Sequence, residues 1–136
     1  MKAKTFLKEY RRAQHKVEEI RKRLADLEEL STSITQALEG DRVQTSPRPD
    51  RIGQVVARKL DLEYELLEAE TDAMDTMNRI YAVLNKLEDP DYQQLLRLRY
   101  IKCLQWEDIR DQMHYEIRNI FYIHGRALVA VEEIIN

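Results

Sequence analysis

The sequence predicts an all-α protein: a long antiparallel helical hairpin, coiled-coil-like in its pattern, followed by a C-terminal three-helix helix-turn-helix unit. Glycine and proline are rare, with 3 of each among 136 residues, which is typical of a mostly helical chain. Apolar residues recur at steps of three and four along most of the sequence. Breaks in that pattern place the hairpin in residues 1–89, with a loop at 40–50, and the helix-turn-helix unit in residues 90–136.

The first long helix is predicted from apolar positions that alternate between four-residue and three-residue steps, with one polar interruption at Ser31. Such a heptad pattern puts one apolar stripe along a helix, and a second helix usually covers that stripe. Lys, Arg and Glu fill the other faces at spacings that allow salt bridges along the helix, so we expect those faces to be solvated. The positions of the stripe are Phe6, Tyr10, Ala13, Val17, Ile20, Leu24, Leu27, Ser31, Ile34 and Leu38.

The loop and the second long helix follow Gly40. The segment "GDRVQTSPRPD" contains two prolines and several turn-forming residues, so residues 40–50 are predicted to form a loop. Two helices joined by a short loop pack antiparallel, and the same stripes could instead join two copies of the chain in a homodimer through the long helices. The second stripe runs through Ile52, Val55, Leu62, Leu66, Ala69, Ala73, Ile80, Leu84 and Leu87, with weaker steps at Lys59 and at Thr76 or Met77.

A new helical unit is predicted to begin at Pro90. Asp89 can cap the helix, and proline is well tolerated at the first helical position because the N–H that it lacks has no partner there. A short segment, "KCLQW", then separates the apolar residues of this helix from those of a second helix. The apolar residues are Leu95, Leu98 and Ile101 on the first helix and Trp106, Ile109 and Met113 on the second.

The stretch "IRDQMHYEIRNIFYIHGRAL", residues 109–128, fits either one continuous helix or two helices separated by a turn. A helix-turn-helix needs apolar anchors in both helices and at the turn. Residues of this kind occur at the required spacings, which favours the turn. They are Ile109, Met113, Tyr115, Ile120 and Ile123.

The segment "LLRLRYIKCLQWEDIRDQMHYEIRNIFYIHGRAL" resembles region 4 of bacterial sigma factors. In that region, a helix with the pattern LLxLRY is followed by a helix with the pattern WEEIA and by a recognition helix that ends in HxxAL. Together with the long helix pair and the "DRVQTSPRPD" loop, the chain resembles phage regulators of the ArpU and RinA type, which control transcription of late or packaging genes. The resemblance covers nearly the whole chain, but only residues 90–131 carry a specific motif.

The resemblance implies a phage or prophage transcriptional regulator that binds double-stranded DNA in the cytoplasm of the bacterial host, with RNA polymerase as a further candidate partner. It places the second helix at Trp106–Gln112 and the recognition helix from about Glu116. The side chains that would face the bases are Ile117, Arg118, Asn119, Phe121 and Tyr122. The candidates for phosphate contacts, which supply affinity without sequence information, are Arg97, Arg99, Lys102 and Arg126.

Three residues depart from the sigma-like pattern. Arg110 stands where the pattern has alanine, at the close crossing of two helices, so its side chain must turn sideways or separate them. His114 replaces the usual turn glycine, which adopts a positive φ easily. Glu116 occupies the usual position of a Ser or Thr cap; its charge suits the helix dipole but repels DNA phosphate.

Composition argues against several other classes of protein. The formal net charge of −3 does not fit a chain that coats nucleic acid with its whole surface. Cys103 is the single cysteine, so no internal disulfide or paired-thiol zinc site is expected. No run of 18 apolar residues and no signal peptide is apparent, so we expect no membrane partner. The spacing of His15, His114 and His124 predicts no metal site, and no motif for a cofactor or for catalysis occurs.

Two alternative functions remain open from the sequence. Small terminase subunits also join a helix-turn-helix to long oligomerising helices, so the chain could be a phage DNA-packaging or assembly component. It could also be a protein-interaction module with a decayed recognition helix that uses Ile117, Phe121 and Tyr122 to contact another protein. Arg110, His114 and Glu116 favour this last interpretation.

Overall fold

The computed structural model describes residues 2–40 and 49–136, and every regular element in that part of the chain is helical. No strand occurs among these described residues, so the all-α prediction is confirmed. Most of the loop predicted at 40–50 lies outside the described residues. The elements in chain order are α1 Ala3–Leu7, α2 Glu9–Gly40, α3 Pro49–Leu84, α4 Pro90–Leu96, a π-helical turn Arg97–Ile101, α5 Trp106–Met113 and α6 Ile117–Ile135.

One compact unit, His15–Thr71, contains the parts of α2 and α3 that form the hairpin. Two ion pairs show that these helices run antiparallel. Arg21 Nη2 lies 3.0 Å from Glu70 Oε1, and farther along α2 Glu28 Oε1 lies 4.0 Å from Lys59 Nζ. Apolar side chains of the two predicted stripes are buried between them, namely Val17, Ile20, Leu62 and Ala69.

The predicted stripes describe this unit well, with one difference. On α2, each stripe position from Val17 to Ile34 is buried or partly buried. On α3, Val55 and Leu66 are partly buried as expected, but the side chain of Ile52 is 40% exposed. The side chain of Ile52 is therefore not enclosed between α3 and α2.

The second compact unit consists of Met1–Gln14 and Asp72–Asn136. Its core joins residues from the start and the end of the chain, because α1 and α4 both pack against α6. The same unit also includes the end of α3, from Asp72 onward. The domain boundary predicted at residue 90 stays a prediction. The fully or almost fully buried core residues are Ala3, Leu7, Ile80, Leu84, Leu87, Leu95, Leu96, Leu98, Tyr100, Ile109, Met113, Ile120, Ile123, Ala127 and Val131.

The first helix differs from its prediction. A single helix was expected through Phe6, but α1 ends at Leu7 and α2 begins at Glu9. Leu7 is fully buried in the core of this unit, whereas Phe6 is only partly buried. The heptad pattern cannot identify the partner of a helix face, and here the core includes a position next to the predicted stripe.

The start of α4 confirms the predicted cap. Pro90 is its first residue, and the N–H of Asp91 donates to Asp89 Oδ1 at 2.9 Å. The helix then widens into the π-helical turn, in which the N–H of Lys102 donates to the carbonyl of Arg97 at 3.0 Å. Cys103 follows with a positive φ of 56°, and the chain changes direction into α5.

Among the described residues, no helix has both the length and the apolar character needed to cross a membrane.

Candidate nucleic-acid interface

Helix α5 and the turn after it have the geometry of a helix-turn-helix. Ile109 and Met113 are buried, and α5 covers the residues predicted for the second helix plus one. His114 adopts a left-handed conformation, with φ 58° and ψ 36°, and its N–H donates to the carbonyl of Arg110 at 2.9 Å. The turn therefore has the positive φ that its glycine-like position predicts, although histidine occupies it.

Tyr115 anchors the turn differently from its prediction as an apolar anchor. The residue is 36% exposed, so it lies at the surface rather than in the core. Its hydroxyl instead donates a 2.8 Å hydrogen bond to Asp91 Oδ2 in the first turn of α4. That hydrogen bond and the negative charge of Asp91 raise the pKa of Tyr115 above its ordinary value. The expectation of a buried residue here was wrong because the hydroxyl finds a charged acceptor at the surface.

Helix α6 begins after Glu116 and presents one face to the core. Its buried residues are Ile120, Ile123, Ala127 and Val131, which follow the three- and four-residue steps of an amphipathic helix. The opposite face is therefore open to solvent. At Gly125 on this face, an added Cβ would meet no atom within 4 Å.

The residues predicted to face DNA bases mostly lie on the open side of α6. Arg118 and Asn119 are exposed in its first turn, and Phe121 and Tyr122 are 49% and 62% exposed. Ile117 is only partly buried. This arrangement leaves two polar and two aromatic side chains accessible near the start of the helix, where a recognition helix contacts base edges.

Two departures from the sigma-like pattern are accommodated locally. Arg110 turns outward, with its side chain 42% exposed, and its Nε donates to Asp111 Oδ1 at 3.1 Å. Glu116 is exposed and forms no side-chain hydrogen bond as the cap of α6. Its carbonyl accepts instead, from the N–H groups of Asn119 and Ile120. Neither departure prevents α5 and α6 from packing together.

An aromatic cluster joins α5 to α6. The ring of Trp106, at the start of α5, lies edge-on to Phe121, with centroids 5.2 Å apart, and edge-on to His124, at 4.8 Å. The guanidinium carbon of Arg99 lies 4.3 Å from the centroid of the Trp106 ring. Trp106 is only partly buried, so it lies at the edge of the core.

His124 is held neutral within this cluster. Its Nε2 lies 2.8 Å from the hydroxyl of Tyr100. Burial, followed by the positive charges of Lys4 and Arg99, lowers the pKa of His124 to about 4. Burial also raises the pKa of Tyr100, partly offset by Arg99. The spacing of Tyr100 and His124 in the sequence carries no signal for this pair, which depends on the packing of the π-helical turn against α6.

The four residues predicted to contact phosphate have different surroundings. Arg97 lines a cavity of about 260 Å³ beside Tyr81 and Asn85. Arg99 is held over Trp106, and its Nη1 also donates to the carbonyl of Leu104 at 2.9 Å. Lys102 is exposed at the end of the π-helical turn.

Arg126 lies on the exposed part of α6, one turn after Tyr122. Its guanidinium carbon is 5.8 Å from the centroid of the Tyr122 ring. A hydrogen bond to Tyr92 raises the pKa of Arg126 above its already high ordinary value, with contributions from the nearby Tyr122. Arg126 therefore stays charged and lies beside Tyr92 and Tyr122, whereas Lys102 is exposed without an aromatic neighbour of this kind in the described part of the chain.

Acidic side chains lie on α5 and immediately before α6. Glu107, Asp108 and Asp111 are all exposed on α5, and exposed Glu116 precedes α6. Their charges oppose those of Arg118 and Arg126 on α6 and would repel a DNA backbone that approached along α5. On α6, the exposed positive charges are those of Arg118 and Arg126.

No group of three histidine, cysteine, aspartate or glutamate side chains in the described part of the chain could hold a metal ion. Cys103 is free and exposed. Comparison of the chain with protein-family models, with curated proteins and with solved structures found no match.

Proposed function

We propose that this protein is a transcriptional regulator that binds double-stranded DNA by placing α6 in the major groove. One observation carries the proposal. A left-handed residue, His114, joins α5 to α6, and the first turn of α6 exposes Arg118 and Asn119 while its opposite face is buried. A helix held in this way by its neighbours is how helix-turn-helix proteins present side chains to base edges.

The residues at the start of α6 suit base recognition. An arginine can donate two hydrogen bonds to guanine, and an asparagine can pair with adenine in the same groove. We assign these roles to Arg118 and Asn119. Phe121 and Tyr122 would add apolar contacts to the methyl groups of thymine. Arg126 and Lys102 would contact phosphates and so set the affinity.

The similarity of residues 90–131 to sigma region 4, and of the chain to regulators of the ArpU and RinA type, extends the proposal. On that basis the protein acts as a binding protein rather than an enzyme, in the cytoplasm of a bacterium that carries the phage. RNA polymerase would be a second partner. A second copy of the chain, joined through the long helices, would supply a second recognition helix and a paired half-site.

The experiment that tests this function starts from a pool of random double-stranded oligonucleotides. The purified full-length protein selects its preferred sequence from the pool, and a mobility shift assay then compares that sequence with an unselected control across a salt series. We expect selective binding whose affinity falls as salt rises, with a slope of about 0.9 per phosphate contact. Failure to enrich any sequence, together with no binding to either DNA at low salt, would contradict the proposal.

A protein partner is the second candidate for this surface, and two observations favour it. Phe121, Tyr122 and Val129 are exposed apolar or aromatic residues on α6, and aromatic residues are enriched at protein interfaces. The acidic residues on α5 would repel a DNA backbone, whereas they would attract a basic protein surface. Loss of partner binding in Tyr122→Ala with unchanged DNA binding would favour this second function.

A further inference from the structure

Helix α3 carries a second apolar stripe that α2 does not cover. We call it the outer stripe; its residues are Ile52, Val56, Leu60, Tyr64 and Leu67, which are 40–70% exposed. Their spacing of four, four, four and three residues keeps them on one face of the helix. The residues that α3 turns toward α2, such as Leu62 and Ala69, are buried on another face. An exposed apolar stripe of this kind indicates a surface to which a second partner binds.

We propose that the outer stripe binds the same stripe of a second copy of the chain, with the two α3 helices antiparallel and crossing near Leu60. The proposal rests on the homodimer of the proposed function and names its face and its orientation. A two-fold axis uses one patch on both copies, so the patch must fit itself. With Leu60 at the axis, Val56 of one copy lies beside Tyr64 of the other, and Ile52 lies beside Leu67.

The charges along α3 select the antiparallel orientation. Residues 51–59 carry three basic side chains and no acidic one, whereas residues 61–70 carry five acidic side chains and no basic one. A parallel pair would place the two acidic segments side by side. An antiparallel pair centred on Leu60 keeps the two acidic segments apart and places each of them beside residues 51–59 of the other copy, which carry no acidic side chain, so like-charge repulsion is avoided. The basic residues are Arg51, Arg58 and Lys59, and the acidic residues are Asp61, Glu63, Glu65, Glu68 and Glu70. Of these, Lys59 and Glu70 also form the ion pairs with α2.

The area of the outer stripe is close to what a stable dimer needs. Given the size of aliphatic and aromatic side chains, its five residues expose about 300–500 Å² per copy. Apolar atoms make up roughly 60% of a typical interface. With its polar rim, the contact would therefore bury about 500–800 Å² per copy, at the lower end of the range of specific protein interfaces.

The first test is the mass of the full-length protein in solution, measured by light scattering during gel filtration in the absence of DNA. We expect twice the chain mass of 16.3 kDa. A monomer at every concentration in a dilution series would overturn the inference. Because no DNA is present, this result is independent of the mobility shift assay and would leave the DNA-binding proposal to its own test.

A matched pair of variants then tests the face. Leu60→Glu places two carboxylates at the proposed axis, and we expect it to be a monomer. Leu30→Glu makes the same change at a leucine of α2 with nearly the same exposure, 51% against 52%, and we expect it to stay a dimer. Circular dichroism checks that both variants remain helical. A dimer in Leu60→Glu, or a monomer in Leu30→Glu, would overturn the assignment of the outer stripe.

Cross-linking tests the orientation in a Cys103→Ser background, which removes the natural thiol. In the antiparallel dimer, Leu60→Cys meets its own copy at the axis and is joined by a short bismaleimide linker. Ile52→Cys lies about 24 Å from its copy at 1.5 Å per residue and is not joined. Cross-linking of both variants would indicate parallel helices. Cross-linking of neither would show that the two-fold axis does not lie at Leu60. Either result overturns the inference.

Discussion

The hydroxyl of Tyr115 donates a 2.8 Å hydrogen bond to Asp91 Oδ2, which ties the turn between α5 and α6 to the first turn of α4. Asp91 also takes part in the start of α4, where its N–H donates to Asp89 Oδ1. The turn before the proposed recognition helix is thus held by a contact between residues 24 positions apart. Three helices of the unit are joined at this point without a buried side chain.

Tyr115→Phe removes this hydrogen bond and keeps the ring. Because both partners are exposed, we expect a small loss of stability, with the melting temperature lower by about 4 °C or less. We expect a larger effect on DNA binding, since the turn then has more freedom to change the direction of α6. Thermal unfolding and the mobility shift assay measure the two effects. A large loss of stability with unchanged DNA affinity would contradict this role for Tyr115.

His114→Gly should stabilise the protein, because His114 has a positive φ of 58° that a side chain disfavours. The left-handed conformation costs a residue with a Cβ about 1–2 kcal/mol, and the extra freedom of glycine in the unfolded chain offsets part of the gain. We expect a net gain of about 0.5–1 kcal/mol, measured by urea unfolding.

Two comparisons control for the effect of glycine at position 114. Cys103 is the other non-glycine residue with a positive φ in the described part of the chain. We expect Cys103→Gly to raise the stability as well. His114→Val adds a β-branched side chain and should lower the stability. If His114→Gly lowered it instead, the ring of His114 would have a stabilising contact that outweighs backbone strain.

The sequence predicted the helical elements closely because their signals are local. Pro90 and Asp89 begin α4 as expected, and α6 starts directly after Glu116. The turn at His114 was also located correctly, although apolar spacing alone allowed a continuous helix across it. These features depend on a few neighbouring residues, which is the range over which capping and periodicity carry information.

The features that the sequence did not reveal depend on contacts between distant residues. The burial of Leu7 against the C-terminal helices follows from tertiary packing, and the heptad pattern of α2 gave no sign of it. The same is true of the Tyr100–His124 pair and of the Tyr115 hydroxyl. The outer stripe on α3 was visible in the sequence as apolar residues, but the dominant stripe explained the helix and concealed the second.

His124 should make stability depend on pH in a defined window. Burial, followed by the charges of Lys4 and Arg99, lowers its pKa from 6.5 to about 4 in the folded protein. Between those values the unfolded chain binds a proton that the folded chain does not, so stability decreases as the pH falls from about 6.5 to about 4. We expect this residue to account for about 1–2 kcal/mol of the loss, less than the full shift implies because the ring is partly solvated.

The variant His124→Gln isolates that contribution. Urea unfolding of the wild type and of this variant across the same pH range should give a flatter profile for the variant. His15→Gln, an exposed histidine of the hairpin unit, serves as the control and should follow the wild type. Parallel profiles for the wild type and His124→Gln would contradict a neutral, partly buried imidazole at this position.

Arg118→Ala tests base recognition directly. If Arg118 pairs with guanine, its loss should weaken binding to the selected sequence by about 1–3 kcal/mol, or roughly 5-fold to 150-fold, and relax specificity at one base. Binding to unselected DNA should change much less. Arg23→Ala removes an equal charge from an exposed position of the hairpin unit and should leave specificity unchanged. An equal loss for selected and unselected DNA would make Arg118 a phosphate contact instead.

Arg99 and Lys102 are both predicted to contact phosphate, yet the structure gives them different contacts, and substitution can separate their roles. Arg99→Lys keeps the charge but loses the stacking on Trp106 and the hydrogen bond to the Leu104 carbonyl. Because lysine cannot reproduce a planar guanidinium, we expect a stability loss of about 1–2 kcal/mol and an unchanged salt slope for DNA binding.

Lys102→Ala should have the opposite pattern. Its exposed side chain contributes little to the packing of the unit, so the melting temperature should stay the same. Removing one phosphate contact should reduce the salt slope of binding by about 0.9. If Arg99→Lys had the stability of the wild type and Lys102→Ala left the salt slope of DNA binding unchanged, Arg99 would be the phosphate contact and Lys102 a solvated surface residue. The two substitutions together therefore determine whether the cation over Trp106 serves the fold or the DNA.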